Sequence, residues 1–470
     1  MASISPLDTA PAPNRQQLAL ESGKIEKPKN EKELPVPSRK HTISTFSGVI
    51  TLSKAMVNAG VFSLPYAWKL GGLWVSFAAS ILIALVNWYG DYILAKSAQY
   101  LSKKVGRSSL DYGHFAKKVC ETSDIEFLRK HSHAMVFAVD MSILAYQLGM
   151  CSVAILFISD NMVNLFGDQI GGTLDQKMLI FSTIALVFIL LTNSFTNMKI
   201  VSFFAIVSTV FLFFGSFVIA QYTIRQPNHW SELPAYTDFK STIMMMGILT
   251  YAFEGQTMVL PVENKLAKPE SFLASFGVLS ITMVTCSSFM TFLGFIGYTA
   301  FAQHVGPTIT INVPKDGFYT SVNICLMIQS LLGNGMAMYV IFDMFQNGFR
   351  TKFGKICPSF PIRVADKGFR VFWVLVTYLM VVLIPHLETM MSLVGVTAGT
   401  MCALIFPPLF EVIVFWTDWK ENLSTCHRMF KIVRNFTAMI LGFAFIACGV
   451  YANMVTLIEL FAKPHQSLTD

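Results

Sequence analysis

The sequence is poor in charged residues. Only 13% of its 470 residues are Asp, Glu, Lys or Arg, whereas 53% are hydrophobic. A soluble protein of this length carries about 25% charged residues, so a string of soluble domains is excluded. Charge is missing from whole blocks, namely Leu73 to Val86, Met178 to Thr192 and Val201 to Ala220. Such blocks predict membrane-spanning helices, in which every backbone polar group is bonded within its own segment.

Several functional signatures are also missing. The sequence has no phosphate-binding glycine loop and no cluster of metal ligands, and the three histidines His114, His131 and His133 are too weak a signal for a metal site. We therefore expect no enzyme activity, no metal and no cofactor. Residues 1–40 lack the apolar core of a signal peptide and are rich in Pro, Lys and Glu, which predicts a disordered tail over residues 1–43.

Eleven apolar segments follow this tail and predict an all-α membrane protein. A single transporter domain over residues 44–462 would contain them, followed by a short tail at 463–470. The segments cover residues 44–68, 71–95, 134–166, 178–194, 200–222, 241–262, 272–301, 318–348, 370–385, 389–415 and 436–462.

The basic residues indicate the orientation. With a cytoplasmic N-terminus, the inside connections hold 28 of the 35 Lys and Arg residues and the outside connections hold 6. Cytoplasmic loops carry such an excess, so the net charge of +7 reflects membrane orientation and not a nucleic-acid partner. The expected location is the plasma membrane or a lysosomal or endosomal membrane.

Two segments are interrupted in the same way. Gly60 precedes Leu64-Pro65 in the first segment, and Gly255 precedes Leu260-Pro261 in the sixth. Matched interruptions five helices apart predict two inverted five-helix repeats, about 44–222 and 241–415, with helix 11 at about 436–462. Such interruptions indicate the substrate site of a transporter, because freed amides suit a carboxylate and freed carbonyls suit an ammonium group. The alternative is that Gly and Pro merely kink each helix.

The candidate substrate-binding residues lie at these interruptions and on the third segment. The hydroxyl and amide groups of the third segment could line the pocket or only hold helices together. The candidates are Asn58, Ala59, Gly60, Val61, Tyr146, Gln147, Tyr251, Ala252, Phe253 and Gly255.

Glu254 is the candidate for proton coupling. An acidic side chain at the bilayer centre costs about 2.5–3.5 kcal/mol, so it should face the bundle interior, where desolvation favours the neutral form of a carboxyl group. The alternative is a structural carboxylate that binds loose amides or hydroxyls. Asp140 and Asp343 lie nearer the cytoplasmic ends of their segments, and Lys54 is expected to be a structural partner or a snorkelling side chain.

These residues resemble the amino acid/auxin permease family, and within it the proton-assisted amino acid transporters. The resemblance covers about residues 46–460. It is strongest from Phe253 to Lys265 and extends to Gln147-Leu148-Gly149, Asp160-Asn161, Ser392 to Gly395, and Phe406 to Glu411. It implies a LeuT-like fold of two inverted five-helix repeats plus one extra helix, with substrate at the two breaks and protons as the driving ion.

The sequence departs from these relatives at the first break. Ala55 and Asn58 stand at two glycine positions, and Thr51 stands at the position of a histidine thought to take part in proton coupling. Any proton route must therefore use another group, for which Glu254 is the choice. Relatives that use sodium commonly have Ser or Thr on helix 8, and the stretch Leu331 to Phe342 contains neither, which predicts sodium independence.

The predicted function is secondary transport of small neutral amino acids, coupled to protons and working by alternating access. The alternative is a membrane amino acid sensor that signals nutrient status with little flux. A channel would need a continuous polar helix face, which the sequence does not offer.

The charge bias makes the topology testable. We expect the N-terminus on the cytoplasmic face, eleven spans, and the C-terminus outside or in the lumen. Tags at each end should therefore differ in accessibility in intact cells or organelles. Two termini on the same face would contradict the eleven-span arrangement.

Overall fold

The computed structural model describes residues 42–107, 109–195, 198–357 and 361–462. Apart from residues 42 and 43, the predicted N-terminal tail lies outside these ranges, as does the tail at 463–470. The described secondary structure is helical, and its one pairing of extended backbone is the bridge between Ile43 and Leu266. The predicted all-α class is therefore confirmed.

Seventeen α-helices make up the described chain. A 3₁₀ helix, Ala59–Ser63, joins α1 to α2, and two π-helical stretches, Gly395–Gly399 and Met401–Ile405, join α15 to α16. The α-helices are α1 Thr45–Met56, α2 Leu64–Gly71, α3 Leu73–Val105, α4 Tyr112–Glu121, α5 Glu126–Lys130, α6 Ser132–Phe166, α7 Leu174–Asn193, α8 Met198–Ile224, α9 Phe239–Phe253, α10 Gln256–Lys265, α11 Glu270–Leu273, α12 Val278–Phe301, α13 Gly317–Ile356, α14 Ile362–Leu383, α15 Leu387–Val394, α16 Phe406–Asn422 and α17 Thr425–Ala462.

The molecule is built to cross a membrane several times. Nine helical stretches of the described chain are long and apolar enough to do so, and the bent pair α1–α2 would make a tenth. Helix α14 covers the predicted ninth segment, but its first half carries charges at Arg363, Asp366, Lys367 and Arg370. A multi-pass membrane protein is thus confirmed, whereas eleven spans and inverted repeats stay predictions.

The helices extend beyond the apolar runs. Helix α3 continues to Val105, ten residues past the predicted end at 95, and α17 begins at Thr425, eleven residues before the predicted start at 436. An apolar run ends where the first charges appear, but helical hydrogen bonds continue into the interfacial region, where Lys and Arg reach water with long side chains. Segment ends read from hydropathy are therefore too short.

Two helices form the centre of the bundle. Helix α6 packs against α4, α7, α13, α14 and α15, while α9 packs against α2, α3, α15 and α17. Large apolar side chains cover the periphery instead, as on α8, where Phe203, Phe213 and Phe217 are exposed. A lipid-facing surface of this kind needs no polar cover, because lipid tails solvate it.

Glycines allow the central helices to approach closely. A Cβ atom at Gly395 would overlap the carbonyl oxygen of Gly247 and lie 2.9 Å from the backbone nitrogen of Tyr251. The π-helical stretch therefore contacts the backbone of α9 directly. Small residues serve this purpose in membrane proteins, where close packing replaces the hydrophobic effect between helices.

This contact predicts the effect of one methyl group. Gly395→Ala should destabilise the protein by about 1–3 kcal/mol, the usual cost of overpacking, and should lower its melting temperature in detergent. Gly348→Ala is the matched control, because a Cβ atom at Gly348 has nothing within 4 Å and Ala is the better helix former. Equal melting temperatures for the two variants would contradict the close contact.

Candidate functional site

The first predicted interruption is a true break in the helix. Helix α1 ends at Met56, Val57 and Asn58 are extended, and the chain resumes as the 3₁₀ helix Ala59–Ser63. The bent pair α1–α2 turns by 51° across it. The Asn58 side chain accepts a hydrogen bond from the Gly60 amide at 2.8 Å, and Pro65 opens α2 where no amide hydrogen is needed. The kinked-helix alternative therefore does not describe this segment.

The second interruption is also a break. Helix α9 ends at Phe253, Glu254 is extended with ψ 134°, and α10 begins at Gln256 after Gly255. The Glu254 carboxylate accepts a hydrogen bond from the Thr257 amide at 3.1 Å. An oxygen acceptor at this position satisfies a free donor of the new helix and suits its positive end. Glu254 thus binds loose amides, as the structural alternative proposed.

The two breaks meet in space. A Cβ atom at Gly255 would lie 3.1 Å from Cγ of Met56, the last residue of α1. A Cβ atom at Gly60 would lie 2.8 Å from Cε1 of Tyr251 and 3.1 Å from Cε of Met391. The helix ends on both sides of the two breaks therefore converge on one buried region, although the breaks are almost 200 residues apart in sequence.

Tyr146 closes this region from the side of α6. Its hydroxyl donates to the Tyr251 carbonyl at 3.0 Å, and the two rings lie 5.9 Å apart. The same hydroxyl interacts with the Glu254 carboxyl group. Tyr146 thus binds the last turn of α9, where carbonyls lack helical partners. Gln147, the next residue, is buried beside it.

The structure therefore brings most of the predicted site residues together. The residues that border the two breaks or touch across them are Asn58, Ala59, Gly60, Val61, Tyr146, Tyr251, Ala252, Phe253, Glu254 and Gly255. Lys54 lies apart from them in the last turn of α1, where a cation complements the negative end of the helix. Thr51 donates its hydroxyl hydrogen bond to the Ser47 carbonyl at 2.7 Å.

The predicted tenth segment, which includes most of α15 and α16, contributes a third irregular element that the sequence interpretation missed. Its π-helical stretches place Gly399 beside Thr250 of α9 and Cys402 within electrostatic reach of Glu254. π-Helical turns are rare and often lie at functional sites. The only local signal is the pair of glycines in Gly395-Val396-Thr397-Ala398-Gly399, which resembles ordinary small-residue packing.

Asp91 is the second feature that was missed. It lies on α3 with 1% of its surface exposed, and its Oδ2 would be 3.8 Å from a Cβ atom at Gly255. Its carboxyl group interacts with that of Glu254. The available signal was the same one that identified Glu254, namely an acidic residue inside an apolar segment, here 71–95.

Comparison with known proteins shows the family of this chain. Residues 41–452 match the family described as "Transmembrane amino acid transporter protein". The chain is 62% identical over 422 residues to the "Probable amino acid transporter skat-1" of Caenorhabditis elegans, covering 90% of this chain and 92% of the relative. It is 25% identical over 392 residues to the "Proton-coupled amino acid transporter-like protein pathetic" of Drosophila melanogaster, covering 80% of each.

These matches define the class of protein: a membrane transporter and not an enzyme. The chain belongs to the amino acid/auxin permease family. The family membership expected from the sequence motifs is thus confirmed.

Asn58 gives a local test of the first break. Asn58→Ala removes the acceptor for the Gly60 amide and should cost about 0.5–2 kcal/mol of stability, as helix caps do. Asn58→Ser keeps a short side-chain oxygen and should retain most of that stability. Melting temperatures in detergent measure the difference. An Ala variant as stable as the Ser variant would show that this hydrogen bond does not hold the break.

Proposed function

We propose that this protein is a secondary transporter of small neutral amino acids that works by alternating access and couples transport to protons. The observation that carries the proposal is the contact between the two helix breaks, Met56 against Gly255. In the proposed fold, eleven spans form two inverted five-helix repeats plus one extra helix. The N-terminus is cytoplasmic, and the membrane is the plasma membrane or that of lysosomes or endosomes.

The breaks suit a zwitterion. Helix ends leave amides and carbonyls without helical partners. The amides that start the run from Ala59 to Gly71 carry the positive end of a helix and suit a carboxylate. The carbonyls that end α9 suit an ammonium group. One substrate held by both ends would bind α1–α2 and α9–α10 together.

The surroundings favour a small, uncharged side chain. The Tyr251 ring and the Met391 methyl group lie so close to Gly60 that even a Cβ atom would touch them. Tyr146 closes the same region. Large substrates would have to displace these side chains, and a charged side chain would have to lose its hydration among them.

Glu254 is the proposed proton carrier. Its ionised form accepts the Thr257 hydrogen bond and suits the start of α10, whereas burial of all but 3% of its surface favours the neutral form. Opposing influences of this kind allow a group to change protonation during a cycle. Thr51 cannot titrate in the physiological range, so it offers no proton site of its own.

Glu254→Gln separates transport from coupling. Gln cannot titrate but has nearly the same size, so it should abolish pH-driven accumulation in proteoliposomes while leaving exchange between equal amino acid concentrations largely intact. Uptake of labelled amino acid and the amount of folded protein are measured together. Glu459→Gln is the matched control, because that carboxylate is 54% exposed and pairs with Lys240 at the surface; accumulation should persist.

Four other outcomes would change the proposal. Accumulation that stays pH-driven in Glu254→Gln rules out this residue as the coupling group. Exchange that falls alongside accumulation indicates a purely structural role. Replacement of sodium by choline at fixed pH and potential should leave wild-type uptake unchanged, and a strong loss would refute sodium independence. Binding without any flux would favour the sensor.

A further inference from the structure

A closed polar cluster lies beside the second break. Asp91 and Asn87 of α3 contribute to it, together with Glu254 and Gln256 from the break and Tyr112 of α4. The Gln256 amide donates to the Asn87 side-chain oxygen at 3.2 Å. All five side chains are buried, with at most 7% of the surface of any residue exposed.

Asp91 is the least satisfied member of this cluster. Neither of its carboxyl oxygens accepts a hydrogen bond from any residue in the described ranges, and the Tyr112 hydroxyl and the side-chain oxygen Oε1 of Gln256 are likewise unpartnered there. Tyr112 interacts with both Asp91 and Glu254. An ionised carboxylate without hydrogen bonds or a counter-charge is among the most costly groups to bury.

We propose that Asp91 and Glu254 form one proton-binding unit in which a single proton is held between the two carboxyl groups. This inference rests on the proposed function and adds a second carboxyl group to it. Asp91 Oδ2 would be 3.8 Å from a Cβ atom at Gly255, the residue that follows Glu254. Two buried carboxylates near each other repel, and one proton removes the repulsion and supplies the donor that Asp91 lacks. No other bond is made or broken: the proton binds one carboxyl oxygen and later leaves it.

Tyr112 defines the side from which the proton leaves. Helix α4 lies in the connection between α3 and α6, on the membrane face from which α1 starts, and it packs against α6 and α16. The Asn264 side chain donates to the Leu110 carbonyl at 2.8 Å and ties this connection to α10. In the proposed unit, Tyr112 is therefore the member that lies toward this face.

Other titratable groups face the unit or the rest of α3. Cys402 interacts electrostatically with Glu254 and Tyr112, and Tyr146 interacts electrostatically with Glu254. Glu411 is paired with Arg434 at 2.7 Å beside Tyr89, which lies on α3 between Asn87 and Asp91. Gln99, about two turns beyond Asp91 on α3, donates to Glu263 at 3.1 Å. These acidic groups already have partners, in contrast to Asp91.

Substrate-linked proton movement tests the inference. Full-length protein in proteoliposomes with an internal pH dye reports protons moved per amino acid, and labelled amino acid at equal concentrations reports exchange. Asp91→Asn should abolish substrate-linked proton movement, with exchange kept close to that of the wild type. Asp91→Glu should restore proton movement. Asp343→Asn, which changes an exposed aspartate of α13, is the matched control and should behave as the wild type.

Tyr112→Phe keeps the test open if Asp91→Asn does not fold. Loss of the hydroxyl should shift the pH at which uptake is half-maximal while leaving exchange unchanged. Wild-type coupling and an unshifted pH profile in folded Asp91→Asn or Tyr112→Phe would overturn this inference alone. Wild-type exchange without any proton movement would overturn it together with proton coupling. A requirement for sodium that Asp91→Asn removes would also overturn it, by making Asp91 a metal-cation ligand.

Discussion

A backbone group inside a bilayer must have a hydrogen-bond partner, and the rest of this structure depends on that constraint. Two of its helices are nevertheless interrupted near the middle of the bundle. This is tolerated because each break is buried by the other, with Met56 against Gly255, and because side chains supply missing partners. Asn58 binds the Gly60 amide and Glu254 binds the Thr257 amide. Asn58 and Glu254, which stabilise the breaks, are therefore also residues of the proposed substrate site.

Close backbone packing gives these breaks a fixed position. The hydrophobic effect does not hold helices together in lipid, so small residues and interhelical hydrogen bonds must do so. Gly395 brings the first π-helical stretch against the Gly247 carbonyl of α9, and Tyr146 of α6 binds the Tyr251 carbonyl. Both contacts hold the last turns of α9, whose free end is half of the proposed site. Packing and recognition thus use the same short stretch of chain.

The sequence allowed the class of fold and the position of both breaks to be predicted, because each leaves a local signal: a charge-free run, or a glycine before a Leu-Pro pair. Helices were predicted too short, since α3 continues ten residues beyond its apolar run and α17 begins eleven residues before its own. The two π-helical stretches between α15 and α16 contain no proline and could not be distinguished from a regular helix. Asp91 could have been noticed in its apolar segment, but its proximity to Gly255, more than 160 residues away, is a tertiary contact that no spacing reveals.

Two further acidic side chains lie toward one face of the membrane. Asp160 of α6 interacts with Glu388 in the first turn of α15, and it lies fourteen residues beyond Tyr146, or about 21 Å along the helix at 1.5 Å per residue. This second pair is therefore on the membrane face opposite to α4. The Asp91–Glu254 pair lies at the level of the breaks, between that face and Tyr112. In the proposed cycle, a proton crossing the protein would meet Asp160 and Glu388 near one face and the Asp91–Glu254 unit at the level of the breaks. Coupling follows in this proposal because the Asp91–Glu254 unit includes Glu254, which also belongs to the break that the proposed substrate occupies.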